Sequence, residues 1–119
     1  MIIRHDINNE VEEENQHIDR HVMTMNISDG AKVLYAYLVG LRTGANFNDK
    51  YILKAMIISQ RALTNRKKEL KDAGLILMEQ ITPRIYIIYI GHTRLSALDV
   101  KNQWIKEEDA HRGDKAKGT

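Results

Sequence analysis

Cysteine is absent from the 119-residue chain, so neither a disulfide framework nor a thiolate metal site is available. There is no run of about 18 apolar residues to span a membrane, and the start, MIIRHDINNE, lacks the long apolar stretch of a signal peptide. A phosphate-binding glycine loop, a nucleophile elbow and an HExxH motif are missing too. We therefore expect a cytoplasmic protein without membrane association, cofactor or enzymatic activity.

Charge is unevenly distributed along the chain. Residues 1–19 hold one Arg against six Asp and Glu, a net −5, whereas residues 20–119 hold 17 basic and 10 acidic side chains, a net +7. A basic body behind an acidic leader favours a polyanionic partner. A solvated surface with local charge variation is the alternative. We expect residues 1–20 to form a flexible leader, or a short strand or arm at MIIRHDI.

The first clear helix signal follows a possible short strand at His21–Asn26. Ser28 before Asp29 is typical of a helix start, because the serine caps the helix and the aspartate favours its first turn. Thr43–Gly44 is the predicted stop. Between these points, apolar residues recur every three or four positions, which predicts one buried stripe: Val33, Leu34, Tyr37, Leu38 and Leu41.

Two further helices are predicted directly after it. Asn48 caps a helix that runs to about Met56. After a tight connection, Ser59 caps a third helix, Gln60–Ala73, and Gly74 stands where a left-handed residue ends the helix.

The pattern then changes to that of strands. Leu75–Ile81 and Ile85–Ile90 are rich in β-branched and aromatic residues and predict a hairpin with Pro83 at its tip. Ser96 caps a last helix, Ala97 to about Glu108, with Leu98, Trp104 and Ile105 on its apolar side and Val100 less clearly placed. The folded domain is thus predicted to span 21–108, with a flexible tail at 109–119.

Helix, helix, tight turn, helix and hairpin is the layout of a winged helix-turn-helix. The segments SDGAKVLYAYLVG, NDKYILKAMIISQRALTNRKKELKDAGLI and IYIIYI resemble winged-helix domains of plasmid and phage proteins, among them replication initiators, conjugation accessory proteins and repressors. The resemblance covers residues 28–91. It implies an α+β fold, with a three-helix core, a β-hairpin wing and an added C-terminal helix, that binds DNA through the third helix.

One departure from that family lies in the turn. Relatives often read A-L-G-I-S there, whereas this chain has Ala55-Met56-Ile57-Ile58-Ser59. A β-branched residue resists a positive φ, so we expect the turn around Ile57 to be slightly different or longer.

The third helix carries the residues expected to read DNA. With Leu63, Leu70 and Ala73 inward, its N-terminal half presents side chains suited to a major groove. Gln and Asn pair with adenine, Arg pairs with guanine, a Thr methyl meets the thymine methyl, and Lys meets phosphate. An ordinary solvated basic helix is the alternative. The predicted DNA-binding residues, including one at the wing tip, are Ser59, Gln60, Arg61, Thr64, Asn65, Arg66, Lys68, Lys71 and Arg84.

Other chemistry has weaker support. His17, Asp19 and His21 have metal-ligand spacing but no evident further ligand, and the run Glu12–Glu14 is read as solvated. The C-terminal helix favours a homodimer or tandem copies on double-stranded DNA. The expected setting is a replication origin, a transfer origin or a promoter, with possible contacts to other replication, transfer or transcription proteins. The alternative function is a protein-interaction module.

Overall fold

A computed structural model describes residues 1–7, 20–41 and 43–117 of the chain. These residues form an α+β fold with five helices and a three-stranded sheet. In chain order the elements are β1 (Ile2–Arg4), α1 (Arg20–Met23), α2 (Asp29–Val39), α3 (Asp49–Met56), α4 (Gln60–Asp72), β2 (Ile76–Thr82), β3 (Ile85–Ile90) and α5 (Ala97–Lys117). The carboxylate run Glu12–Glu14 and the metal candidates His17 and Asp19 lie outside the described ranges. None of the helices in these ranges has the length and apolar content needed to cross a membrane.

The caps predicted for the three middle helices are confirmed. Ser28 Oγ accepts a hydrogen bond from the Ala31 N–H at the start of α2. Asn48 caps α3 and Ser59 caps α4 in the same way, each through a side-chain oxygen that accepts a backbone N–H three residues later. These bonds satisfy donors that have no partner within the helix.

Several sequence predictions were wrong in detail. The segment His21–Asn26 contributes to helix α1 rather than to a strand, and Val22 is fully buried there. Helix α5 continues to Lys117, past the predicted end near Glu108. The buried stripe of α2 is also rotated, because Tyr35 is buried whereas Val33 is 54% exposed.

The sheet has the order β1-β3-β2, with β3 in the centre. Strands β2 and β3 form the predicted antiparallel hairpin, and β1 pairs with β3 in parallel, Ile2 opposite Ile87. The other edge of β1 is bonded to the segment 44–47, where the Ile3 N–H donates to Ala45 O at 3.1 Å. The N-terminal strand is therefore held on both edges, which confirms the strand alternative for MIIRHDI.

The two faces of β3 support two clusters of apolar side chains. Ile88 and Ile90 pack with α2, α3 and α4 in the larger cluster, whereas Ile87 and Tyr89 pack on the other face against α5. A strand that is buried on both faces needs apolar residues at every position. This explains why Ile87–Ile90 are apolar instead of alternating, whereas Ile85 and Tyr86, nearer the hairpin tip, are exposed.

Helix α5 is attached to the N-terminal strand by polar contacts of Trp104. Its indole N–H donates to His5 O at 2.9 Å, and the Arg4 guanidinium lies 4.7 Å from the centre of its ring. Arg4 also pairs with Glu108 at 2.9 Å. Together these contacts fix α5 across the face of the sheet that is opposite α4.

Candidate nucleic-acid interface

The turn between α3 and α4 is short because Ile57 adopts a left-handed conformation. Its φ and ψ are 53° and 54°, and its N–H donates to Leu53 O. Ile57 thus takes the positive φ that a β-branched residue resists, within a three-residue connection between α3 and α4. The conformation costs an L-residue about 1–2 kcal/mol, so the packing of the two helices has to offset that strain.

The orientation predicted for α4 is confirmed. Leu63 and Leu70 are fully buried, and Ala73 is partly buried beside them. The opposite side of the helix, which we call the outward face, is exposed and consists of Gln60, Arg61, Thr64, Asn65 and Lys68. At 3.6 residues per turn, positions seven apart lie almost directly above one another, so Arg61 and Lys68 form a row along this face.

The N-terminal half of the outward face has no acidic side chain. The sequence of α4 has no acidic residue before Glu69. The Glu69 carboxylate accepts hydrogen bonds from the Ser28 N–H and the Ser28 hydroxyl, so it faces the start of α2. Asp72 is exposed at the last position of α4, seven positions after Asn65, so the outward face ends with one acidic residue. Within the described residues, neither Arg61 nor Lys68 forms an ion pair.

Two basic residues of α4 are held against the body of the protein. Lys67 Nζ lies 2.6 Å from Asp49 Oδ1, which joins α4 to the start of α3. The Arg66 side chain covers Gly30 of α2 so closely that a β-carbon at position 30 would lie 2.4 Å from Arg66 Nε. Of the predicted DNA-binding residues, Arg66 is therefore the one on α4 whose charge is turned away from the outward face.

The remaining predicted residues lie at the ends of the same region. Ser59 is exposed, and its hydroxyl oxygen accepts the Ala62 N–H at 3.1 Å. Lys71 is exposed in the last turn of α4. Arg84 occupies the exposed tip of the β2–β3 hairpin, where Thr82 Oγ1 accepts the N–H groups of Arg84 and Ile85. Arg84 thus belongs to a separate element from the other candidates.

Helix α3 adds basic residues that the sequence predictions omitted. Lys50 and Lys54 are exposed and four positions apart, so they share one side of α3 next to the turn. The spacing of Lys50 and Lys54 was visible in the sequence, but both residues lie outside the helix that was expected to enter a groove. Ile57 was also omitted from the predicted site, and it is 90% exposed.

Together these elements produce a surface that is basic, rich in amide groups and centred on the N-terminal half of α4. Cations attract phosphate, and side-chain amides and guanidinium groups donate paired hydrogen bonds to base edges. No protein-family model matches the chain, and comparisons with curated proteins and with solved structures found no match.

Proposed function

We propose that this protein is a winged helix-turn-helix protein that binds double-stranded DNA in a sequence-specific manner through the outward face of α4. The observation that carries the proposal is the exposure of Gln60, Arg61, Thr64, Asn65 and Lys68 on one side of a helix whose other side is buried. These side chains belong to the N-terminal half of a helix that follows a tight connection from α3, and in a helix-turn-helix that half contacts base edges.

Each side chain of the outward face has a specific role in the proposed complex. Arg61 donates two hydrogen bonds to guanine, and Gln60 or Asn65 pairs with adenine. The Thr64 hydroxyl is engaged with Gln60 O at 3.0 Å, which leaves its methyl group for a thymine methyl. Lys68 and Lys71 contact phosphates.

The dimensions of α4 suit this placement. Its 13 residues extend for about 20 Å, and an α-helix fits the major groove of B-DNA, which is about 12 Å wide. The start of α4 supplies free N–H groups and a positive dipole end close to the phosphates. In the proposed complex Arg84 at the hairpin tip, the wing, contacts the minor groove or the adjacent backbone.

The proposed biological setting is a plasmid or phage. The protein acts there as a non-catalytic accessory or regulatory factor without a cofactor, at a replication origin, a transfer origin or a promoter. One domain of this size makes few phosphate contacts and binds weakly. We therefore propose that it acts as a homodimer or as tandem copies, so that two α4 helices contact successive half-sites.

Selection from a random pool of duplex oligonucleotides tests the proposal. We expect one motif to be enriched, and we expect its affinity to fall steeply between about 50 and 200 mM salt because counterions are released on binding. A scrambled duplex is the control for non-specific binding. Salt-dependent binding without an enriched motif would refute sequence-specific recognition, and absence of binding even at low salt would refute DNA binding altogether.

A protein-interaction module is the second candidate, because α5 carries exposed apolar residues. Leu98 and Ile105 are 57% and 42% exposed, and they lie seven positions apart on one side of the helix. If this function is correct, Leu98→Asp disrupts assembly, as measured by light scattering, whereas Arg61→Ala changes nothing. If the DNA-binding function is correct, Arg61→Ala changes DNA binding whatever the oligomeric state.

A further inference from the structure

Ile57 combines two features that rarely occur together. It is the most exposed of the large apolar side chains in the described ranges, at 90%, and it holds a left-handed φ of 53°. Glycine adopts this conformation without strain, and asparagine tolerates it, whereas a β-branched residue opposes it. The next residue, Ile58, is turned inward and packs against the core. The strain at Ile57 is therefore not offset by burial of its own side chain.

The position of Ile57 relates this side chain to the DNA-binding surface. It stands two residues before Ser59, at the end of α4 that carries Gln60 and Arg61. In helix-turn-helix complexes this end of the helix approaches the base edges. The C5-methyl group of thymine is the apolar group that a base pair presents in the major groove.

We propose that Ile57 is a specificity-determining residue that contacts a thymine methyl group next to the bases contacted by Gln60 and Arg61. This inference rests on the proposed DNA-binding function. It adds an apolar contact from the turn to the polar contacts of the outward face. The left-handed backbone at Ile57 is what directs its side chain outward while Ile58 enters the core.

The surroundings of Ile57 favour DNA over a protein partner. Exposed residues within four positions of Ile57 along the chain are cationic, polar or small, namely Lys54, Ala55, Ser59, Gln60 and Arg61, and the nearest exposed large apolar residue in the sequence is Tyr51, six positions away. A protein-binding surface normally presents a contiguous apolar patch, whereas here one isoleucine stands among groups that suit a polyanion. A single apolar side chain beside positive charges matches a thymine methyl flanked by phosphates.

Uracil substitution tests the proposal directly, because uracil lacks only the C5-methyl group of thymine. Each thymine of the selected duplex is replaced in turn, and affinity is measured for the parent protein and for Ile57→Asn. For the parent we expect one position at which uracil weakens binding about fourfold, the value for one methyl group lost from an apolar contact. For Ile57→Asn we expect weaker binding to the thymine duplex and no further loss at that position.

Two controls separate this contact from effects on folding. Asparagine tolerates a positive φ, so the thermal midpoint of Ile57→Asn is expected to equal or exceed that of the parent. Ile57→Gly serves as the second variant and should show the same insensitivity to uracil. Val33→Asn removes an exposed apolar side chain from α2, outside both the outward face of α4 and the apolar side of α5, and it should keep the parent's fourfold response.

The outcomes distinguish the two proposals. If the parent binds no duplex selectively, the proposed function fails. If the parent binds its motif but no thymine position responds to uracil, the inference about Ile57 is wrong while the proposed function stands. The inference is also wrong if Ile57→Asn and Ile57→Gly respond to uracil as strongly as the parent does.

Discussion

At the residue scale, the basic side chains of α4 divide into two groups with different environments. Lys67 and Arg66 are partly buried, the first against Asp49 and the second over Gly30. Arg61 and Lys68 extend from the exposed side of the helix. Because contacts with the protein body stabilise the fold and exposed groups contribute little to it, substitutions in the second group should change binding without changing stability.

Arg61→Ala is expected to weaken binding at one base pair of the selected motif by about 1–3 kcal/mol, because a guanidinium that pairs with guanine is lost. Competition between the motif and its single-base variants measures the effect. The free energy of unfolding should change by no more than about 0.5 kcal/mol, since the side chain is exposed. Equal affinity of both proteins for every duplex would show that α4 does not contact bases at this position.

Lys68→Ala is expected to weaken binding to all sequences alike, because a lysine that contacts phosphate carries no sequence information. The slope of log affinity against log salt should fall by roughly one unit. Titrations of the motif and of a scrambled duplex at four salt concentrations provide the measurement. A loss confined to the motif would instead assign Lys68 to a base.

At the element scale, α5 depends on its contacts with the N-terminal strand. Trp104→Phe removes the hydrogen bond from the indole N–H to His5 O and leaves that carbonyl without this donor. We expect the free energy of unfolding to fall by about 1–2 kcal/mol, measured by urea denaturation. Ile105→Ala on the same helix is the matched control, with an expected change within about 0.5 kcal/mol because Ile105 is exposed. If both variants changed the free energy of unfolding equally, Trp104 would stabilise the fold through its apolar volume alone and not through the hydrogen bond.

The starts of the middle helices were the most predictable part of the fold, because N-caps are local, whereas α2 ends at Val39, before its predicted stop at Thr43–Gly44, and α5 runs past its predicted end. Ser28, Asn48 and Ser59 each bond to an N–H three residues away, so a window of a few residues contains the whole signal. The positive φ of Gly74 follows from the same local reasoning. Helix α1 was missed because four residues are too few to distinguish a helical period from an alternating one.

The buried faces of α2 and α5 were less predictable, because distant partners set them. The Tyr35 hydroxyl donates to Gly91 O at 2.7 Å, a residue beyond β3, and this bond accompanies the burial of Tyr35 in place of Val33. In α5 the buried positions are Ala97 and Val100, with Trp104 partly buried beside them, whereas Leu98 is exposed. The spacing of Ala97, Val100 and Trp104 was visible in the sequence, but the larger Leu98 suggested a different face.

In the candidate site, too, features set by nearby residues could be predicted from the sequence, and features set by distant residues could not. The outward face of α4 was predictable because Leu63 and Leu70 fix the rotation of the helix. The orientation of Arg66 was not, because it depends on Gly30 in another helix. Ile57 was singled out in the sequence as an obstacle to the turn, and its exposure depends on how α3 and α4 pack.

At the scale of the whole molecule, β1 completes both the sheet and the core. Ile3 is fully buried and its backbone is bonded to the segment 44–47, while β1 pairs along its other edge with β3. Nothing in the sequence predicts that parallel pairing, because the partners are far apart and a three-residue strand has little pattern of its own. Because residues 1–19 are acidic as a group, the sequence gives no sign that β1 is part of the folded core.

Ile3→Ala is therefore expected to lower the free energy of unfolding of the entire domain by about 2–4 kcal/mol, through the lost apolar contacts and the cavity that remains. Urea denaturation followed by tryptophan fluorescence and by circular dichroism should give coincident transitions. Val33→Ala, at an exposed position of α2, is the control with little expected change. A small effect of Ile3→Ala would mean that β1 is dispensable for the fold.

The pairing of Ile2 with Ile87 also bears on how a new chain matures on the ribosome. β1 is translated before its partner β3, and translation proceeds at about 5–20 residues per second. The nascent chain thus carries Ile2 and Ile3 without their final neighbours for roughly 4–17 seconds. Throughout that interval the edge of β1 that pairs with β3 is open to chaperones or to other chains, even after the segment 44–47 has been synthesised.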